Sequence, residues 1–305
     1  MNQPQISTDV NEAAQVLLSG GIIGLPTETV YGLAACALNQ SAVSKVFAVK
    51  ERPTSHPLIV HLSPEEDFTK WGVFTSDALR LARAFWPGPL TLLVERTKIV
   101  PDWVTGGRDT VALRVPSHPV AIALLRAVNT GVVAPSANKF GKVSPTTAQH
   151  VLDDLGVSVD LILDGGSCEV GVESTIVECL GDSLVLLRPG AISAEQIQDV
   201  VQAQLTTEQG ASRAPGMLVS HYTPDADVVL VDSIEEAQRY KTKLESEGGK
   251  VAIISHQHLD EYAKKLYDDL RDADNNACST VIAVMPQDSG VGTAIRDRLR
   301  KAASR

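Results

Sequence analysis

The segment PTETVYGL, Pro26 to Leu33, decides how the first part of the chain is read. It continues the apolar run IIGLP, Ile22 to Pro26, whose composition suits a strand. Between Pro26 and Gly32 stand three side-chain hydroxyls (Thr27, Thr29, Tyr31) and one carboxylate (Glu28) within five residues. As a bare turn, the segment satisfies its own backbone through short polar side chains. As part of a site, it lies at the carboxyl end of a strand, where open α/β sheets bind ligands. Taken alone, it supports both readings equally.

The neighbours favour an α/β chain. DVNEAAQVLLSGG, from Asp9, has helical spacing and a double-glycine stop. SAVSKVFAVK reads as a second helix, with Ser41 as its N-cap. PLIVHL, LTLLVER, TVALRVP, GVVAPSAN and VDLILDGG read as strands, and SDALRLARAFW and HPVAIALLRAV as helices. STIVECL and SLVLLRPG, joined by GDS, predict a hairpin, and SAEQIQDVVQAQL a capped helix after it. Thr206 to Pro224 has no sustained periodicity and holds Gly, Pro and Ser, the composition of a linker. Beyond it, strands and helices alternate, which predicts a small doubly wound parallel sheet. The expected division is 1–205, a linker over 206–224, and 225–305.

Composition limits the function. The 305 residues suit two domains, and 44% hydrophobic, 21% charged and 4% aromatic residues describe a globular protein. Net charge is −10; it is −7 up to Leu205 (14 Lys+Arg, 21 Asp+Glu) and −3 after it (13 against 16). Neither part has the overall basic excess of a protein held to nucleic acid by phosphate contacts. No apolar run reaches the roughly 18–20 residues of a membrane span, and the start lacks a basic region followed by an apolar one. A cytoplasmic protein is expected. Cys36, Cys168, Cys179 and Cys278 are scattered, without zinc-ligand spacing, and are expected to be free thiols. GVGTAI, from Gly290, fails as a dinucleotide fingerprint because Ile295 replaces the last small residue, and no phosphate-binding P-loop is present. His256 and His258 have metal-like spacing without a third ligand, and a strand-end loop is the better reading.

Several polar groups invite chemistry. In KERPTSHPLIVH, Lys50 and Arg52 flank Glu51 just past a helix that Pro53 cannot continue. They form either a helix C-terminal cap or a fork for a polyphosphate, Arg by bidentate bonds and Lys as a point charge. APSANKFGKVSPT places Ser136, Asn138 and Ser144 in a loop able to wrap a nucleotide or to serve as a plain surface turn. Ser174 in VESTI and Arg188 in LRPG add a hydroxyl and an internal arginine at strand ends. Arg114, inside the alternation VALRVP, needs an anionic partner, either a ligand or a structural carboxylate.

In this order, LPTETVYGL, KERPTSHPLIVH, ALRVP, APSAN, ESTI and LRPG resemble the YrdC family, with its P-T-E/D-T-x-Y-G-L opening and its K-x-R and S-x-N motifs. The agreement covers nearly all of Asp9 to Leu205. APGMLVSHYTP and GVGTAIRDRLRKAA resemble the longer, two-domain form of the family. The resemblance implies a YrdC-like twisted mixed α/β sheet around a concave cleft, plus a small C-terminal Rossmann-like parallel α/β domain. It also implies a reaction, in which L-threonine, bicarbonate and ATP give threonylcarbamoyl-adenylate and pyrophosphate, the first step toward threonylcarbamoyladenosine in tRNA.

By the same resemblance Lys50 and Arg52 hold the ATP phosphates, with Ser136, Asn138, Ser144, Thr110, Arg188, Tyr222 and His56 completing the nucleotide site. His56 stands where the family usually has asparagine, and its imidazole can still donate one hydrogen bond. Thr29, His61, Arg114 and Ser174 would bind L-threonine, Arg114 pairing with its carboxylate. Mg²⁺ would arrive on the ATP phosphates without protein ligands. The product would pass to a tRNA threonylcarbamoyl transferase, with direct tRNA binding weak or absent and no membrane partner. His221 and Tyr222 in the linker are expected to form a lid over the cleft. The competing expectation is a double-stranded-RNA or tRNA-binding protein of the same fold without synthase activity. Hydrogenase-maturation proteins with a YrdC-like domain are longer, with segments not seen here.

Overall fold

The structure is a computed structural model and describes residues 5–181, 183–207 and 222–304. Its first part runs β1 (Gln5–Ser7), α1 (Val10–Leu18), β2 (Ile23–Leu25), β3 (Gly32–Cys36), α2 (Gln40–Lys50), β4 (Ile59–His61), β5 (Gly72–Val73) and α3 (Ser76–Phe85). It continues with β6 (Leu90–Arg96), α4 (Asp102–Thr105), β7 (Thr110–Arg114), α5 (Pro119–Val128), β8 (Val132–Val133), α6 (Ala148–Leu155) and β9 (Leu161–Leu163). The hairpin β10 (Thr175–Leu180) and β11 (Ser183–Arg188), α7 (Ala194–Val201) and β12 (Leu205–Thr207) follow. The last part alternates β13 (Asp227–Val231), α8 (Ile234–Ser246), β14 (Val251–Ile254), α9 (Leu259–Asn275), β15 (Thr280–Val284) and α10 (Val291–Ala303).

The large sheet is mixed, as expected, in the order β1-β9-β2-β3-β8-β4-β7-β6-β10-β11-β12, with β5 added beside β6. Both of its faces are covered. In β3, Leu33 and Ala35 join the core that holds α2 and α3 residues, whereas Ala34 and Cys36 join the core of α1 and α5. The alternation follows from the strand period of two. The small sheet, β13-β15-β14, is parallel throughout. It is covered on both faces too: Val281 and Ala283 pack with α9 and α10, and Ile282 packs with Ala237 of α8. Cys36, Cys168, Cys179 and Cys278 are free thiols, the first three buried.

Two local expectations change. Helix α2 starts one residue earlier and is capped by Asn39, whose side chain accepts from the Ala42 N–H; Ser41 is inside the helix. The small residues GLAAC, to which the sequence pattern assigns no element, form the interior strand β3. Their side chains suit a sheet buried on both faces, where no polar alternation marks the strand. Helix α6 was hidden in the same way, because eight residues after a Pro- and Thr-rich loop give barely two turns of pattern.

The two sheets share packing. Val30, Val143 and Val172 from the first part, together with Tyr222, belong to the same apolar cluster as Tyr262, Leu266 and Tyr267 of α9 and Ile295 of α10. Beside it Arg271 of α9 makes a two-pronged ion pair with Asp154 of α6, at 2.9 and 2.6 Å.

Gly190, just past β11, fixes how the hairpin meets the segment before β10. A Cβ there would lie 2.3 Å from the Thr175 nitrogen and 2.6 Å from the Glu173 oxygen, both backbone atoms with no freedom to swing away. Gly190→Ala is therefore expected to cost about 1–3 kcal/mol, read as a lowered urea midpoint. An unchanged midpoint would show that this close approach is not structural.

Candidate functional site

A cavity of about 50 Å³ lies where the ends of several strands converge. Strands β4 and β7 run parallel with His61 beside Arg114, so both side chains reach the cavity from adjacent carboxyl ends. The turn before β3 contributes Thr29, the loop after β8 contributes Ser136, and the residues flanking the hairpin contribute Glu173, Ser174 and Arg188. Arg52 and Tyr222 complete the polar wall. Of the expected residues, Thr29, Arg52, His61, Arg114, Ser136, Ser174, Arg188 and Tyr222 are thus brought together.

The local backbone explains how Lys50 and Arg52 part company. Lys50 ends α2, and Glu51 follows in the left-handed conformation, φ 56°. The N–H groups of Glu51 and Arg52 return to the carbonyls of Ala48 and Phe47, closing the helix. Arg52 is thereby aimed at the cavity, where its guanidinium donates to the Pro57 carbonyl at 3.0 Å and lies over the Phe140 ring. Burial, then the charge of Arg188, lowers its pKa to about 10. Lys50 instead passes beneath the loop after β8 and donates to the carbonyls of Ser136 and Asn138, at 2.5 and 2.6 Å. Complete burial, then Arg52, pushes its pKa well down, so both carbonyl bonds matter to it.

The same loop is tied from within. Asn138 donates to the carbonyls of Lys139 and Lys142, and Ser144 donates to Glu173 at 2.6 Å. Lys50, Asn138 and Ser144 therefore shape the cavity wall from behind rather than line it. His56 sits edge-on to Phe140, with burial, Arg52 and Arg108 depressing its pKa. Thr110 is elsewhere: it begins β7, opposite the Arg114 end, and lines an open cleft of about 840 Å³. That cleft is larger, but Arg96 there is already paired with Asp102 and faces Asp109, so its charges answer one another.

Arg114 is held on three sides. It donates to the Thr29 hydroxyl at 3.0 Å and to the Gly88 carbonyl at 3.2 Å, and its Nη2 lies 2.7 Å from Glu28. The Glu28 contact is close but off-axis for a hydrogen bond, so it is an ion pair that leaves hydrogen-bonding capacity on both groups. Burial would raise the Glu28 carboxyl; the charge of Arg114 outweighs it and holds the pKa below its ordinary value. Ser174 bonds the Thr91 hydroxyl at 2.8 Å and accepts from Arg188 at 3.0 Å, so no general base activates it. The arrangement suits anions and small polar groups, and among the described residues that line it no hydroxyl has a general base beside it.

Glu28 and Glu173 are residues of this region whose roles the sequence does not reveal. Each stands beside an assigned residue, Thr29 or Ser174, and that adjacency was the available signal. Tyr267 and Arg298, which reach Glu173 from α9 and α10, gave no signal, because an arginine in an amphipathic helix reads as solvated. His221 lies outside the described residues. Tyr222 is buried at φ 63°, stacked on Tyr267.

His61 carries a testable pH signature. Burial, then the positive charge of Arg114, lowers its pKa from 6.5 to about 3. Between those values the unfolded chain takes up a proton that the native one refuses, so stability falls as pH is lowered, by up to about 1.4 kcal/mol per unit. His61→Gln should flatten the loss between pH 6.5 and 5 in urea unfolding. An unchanged slope would mean that His61 titrates normally.

Both parts of the chain are similar to known proteins. The family model Sua5_yciO_yrdC, described as telomere recombination, matches residues 15–190, and the model for the threonylcarbamoyl-AMP synthase C-terminal domain matches residues 192–304. The threonylcarbamoyl-AMP synthase of Bacillus subtilis is 39% identical over 99% of this chain and 94% of its own length. That of Pyrococcus abyssi is 37% identical over 95% and 92%. The crystal structure of P. abyssi Sua5 complexed with L-threonine superimposes with a TM-score of 0.91 at 36% identity, covering 96% of this chain and 94% of that one. The chain belongs to the Sua5/YrdC family of threonylcarbamoyl-AMP synthases.

Proposed function

We propose that the chain condenses L-threonine, bicarbonate and ATP into L-threonylcarbamoyladenylate and pyrophosphate, with 1–205 as the catalytic unit, 206–224 as linker and lid, and 225–305 as a supporting domain. The observation that carries this reading is the convergence of Arg52, Arg114 and Arg188 on one small cavity with hydroxyls between them. Arg52 and Arg188 suit the phosphates of ATP, while Thr29, His61, Arg114 and Ser174 suit the amino acid. Lys50 serves the nucleotide by fixing the Ser136–Asn138 loop. Asn138 and Ser144 act through the same loop, and His56 acts through Phe140 beside Arg52. Thr110 lies outside this arrangement.

Chemistry follows from placement. The threonine nitrogen, once deprotonated, bonds to the bicarbonate carbon with loss of water, giving a carbamate. A carbamate oxygen then bonds to the α-phosphorus, and the bond to the bridging oxygen breaks, so that the electron pair leaves with pyrophosphate. Negative charge grows on the leaving group, where fixed guanidinium groups stabilise it. His61, neutral because its pKa is near 3, can accept from the threonine amine, which an imidazolium would repel. Mg²⁺ would come bound to the ATP phosphates and would add to the charge stabilisation there. The cavity carboxylate Glu173 is already paired with Arg298, and Glu28 nearby with Arg114, so neither is placed to hold the ion.

The RNA-binding reading is disfavoured by the burial of the cations. Lys50, Arg52, Arg114 and Arg188 are 1%, 8%, 3% and 4% exposed, so they make a pocket rather than a basic surface. Among the described residues no helix is long and apolar enough to cross a membrane, and a cytoplasmic enzyme handing its product to a tRNA threonylcarbamoyl transferase fits this reading.

The test is pyrophosphate release with ATP, Mg²⁺, L-threonine and bicarbonate, omitting each in turn. Release should require both threonine and bicarbonate and fall by about 100-fold or more in Lys50→Ala and Arg52→Ala. Release without either substrate would make the protein a plain ATP hydrolase. For the lid, Tyr222→Ala should either uncouple ATP turnover from product or depress synthesis, and wild-type kinetics would remove Tyr222 from that role.

A further inference from the structure

We infer that Arg298, in the last helix of the C-terminal domain, is a positioning residue of the catalytic cavity: it takes up the charge of Glu173, so that this carboxylate neither draws Arg188 toward itself nor repels the nucleotide. The inference rests on the proposed role of Arg188 at the phosphates.

Glu173 is in the cavity wall, next to Ser174. Its Oε1 accepts from Ser144 at 2.6 Å, and its Oε2 accepts from Tyr267 at 2.8 Å and from Arg298 Nε at 2.9 Å. Two of these three donors come from α9 and α10. Arg298 has a side chain with no exposure at all, whereas Arg296, Asp297 and Lys301 of the same helix keep part of theirs in solvent. Its Nη1 reaches Asp297 at 2.6 Å, and its guanidinium lies 5.2 Å from the centre of the Tyr222 ring, which also lines the cavity. An arginine so placed loses its hydration, and helix–helix packing alone would be served as well by an apolar side chain.

The charges explain what it does. Glu173 is held ionised, its pKa lowered to about 2; burial opposes this, and the cations that overcome it are Arg298 first and Arg188 second. Arg188 is a cavity residue whose Nε and Nη2 already bond Ser174. Without Arg298, the cation that acts most strongly on the carboxylate is Arg188. A guanidinium pairing there turns away from an incoming phosphate, and the carboxylate left beside it repels that phosphate. The C-terminal domain thus sets the net charge of the nucleotide side of the cavity without touching substrate.

The test separates this from a domain interface that merely breaks. In Arg298→Met the KM for ATP should rise by about 10-fold or more, with a much smaller change in the KM for threonine. Adding Glu173→Gln removes the stranded charge and should bring ATP back to within about 3-fold of wild type, although the ion pair is still missing. If the pair is only glue, the double variant will be no better than the single one, and both KM values will move together; either result overturns the inference. Should Arg298→Met not be recovered folded, calorimetric binding of a non-hydrolysable ATP analogue to the double variant decides: affinity within about 3-fold of wild type supports it, and a loss of about 10-fold or more overturns it. Wild-type protein that binds the analogue yet releases no pyrophosphate would instead sink the synthase reading.

Discussion

Burying cations is the constraint on which the site depends. Lys50, Arg52, Arg114 and Arg188 surround a cavity of about 50 Å³, nearly out of solvent. Each loses hydration and must regain it from fixed dipoles or carboxylates. The carbonyls of Ser136 and Asn138 do this for Lys50, that of Pro57 for Arg52, and that of Ser174 for Arg188. Arg114 has Glu28, Thr29 and the Gly88 carbonyl. The loops around the cavity are shaped by these bonds, and a cavity already organised around positive charge need not reorganise when a polyanion arrives.

The sheet makes this possible by bringing distant segments to one end. Parallel pairing of β4 with β7 puts His61 beside Arg114, and parallel pairing of β6 with β10 places Ser174 next to Thr91. The left-handed turn at Glu51 then divides the labour of two cations that are neighbours in sequence, one lining the cavity and one holding its wall. The spacing of a K-x-R motif is therefore a statement about backbone direction as much as about charge.

Much of this was legible in the chain, for reasons that can be named. The strand β6, the hairpin of β10 and β11, and the alternating elements of the C-terminal domain carry strong local patterns, and the ordered motifs fixed the family. Ser41 was misread as a cap because Asn39, two residues earlier, offers the same chemistry. The strand β3 was invisible because its residues are small and buried on both faces. The Glu173–Arg298 pair joins residues 125 apart, and nothing local distinguishes that arginine from the solvated ones in the same helix. Sequence pattern reports which face of an element is apolar; it does not report which buried charge answers which.

The cavity wall is shared between the two parts of the chain. Tyr222, within the segment 206–224, lines that wall, and its ring is stacked on Tyr267 and faced by Arg298, both in the C-terminal domain. The groups that pack on this ring are the same groups that hold Glu173. Arg298 thus faces the Tyr222 ring and bonds the Glu173 carboxylate at the same time. Wall packing and charge balance are set by one pair of helices, which gives the second domain a physical reason to be attached to the first.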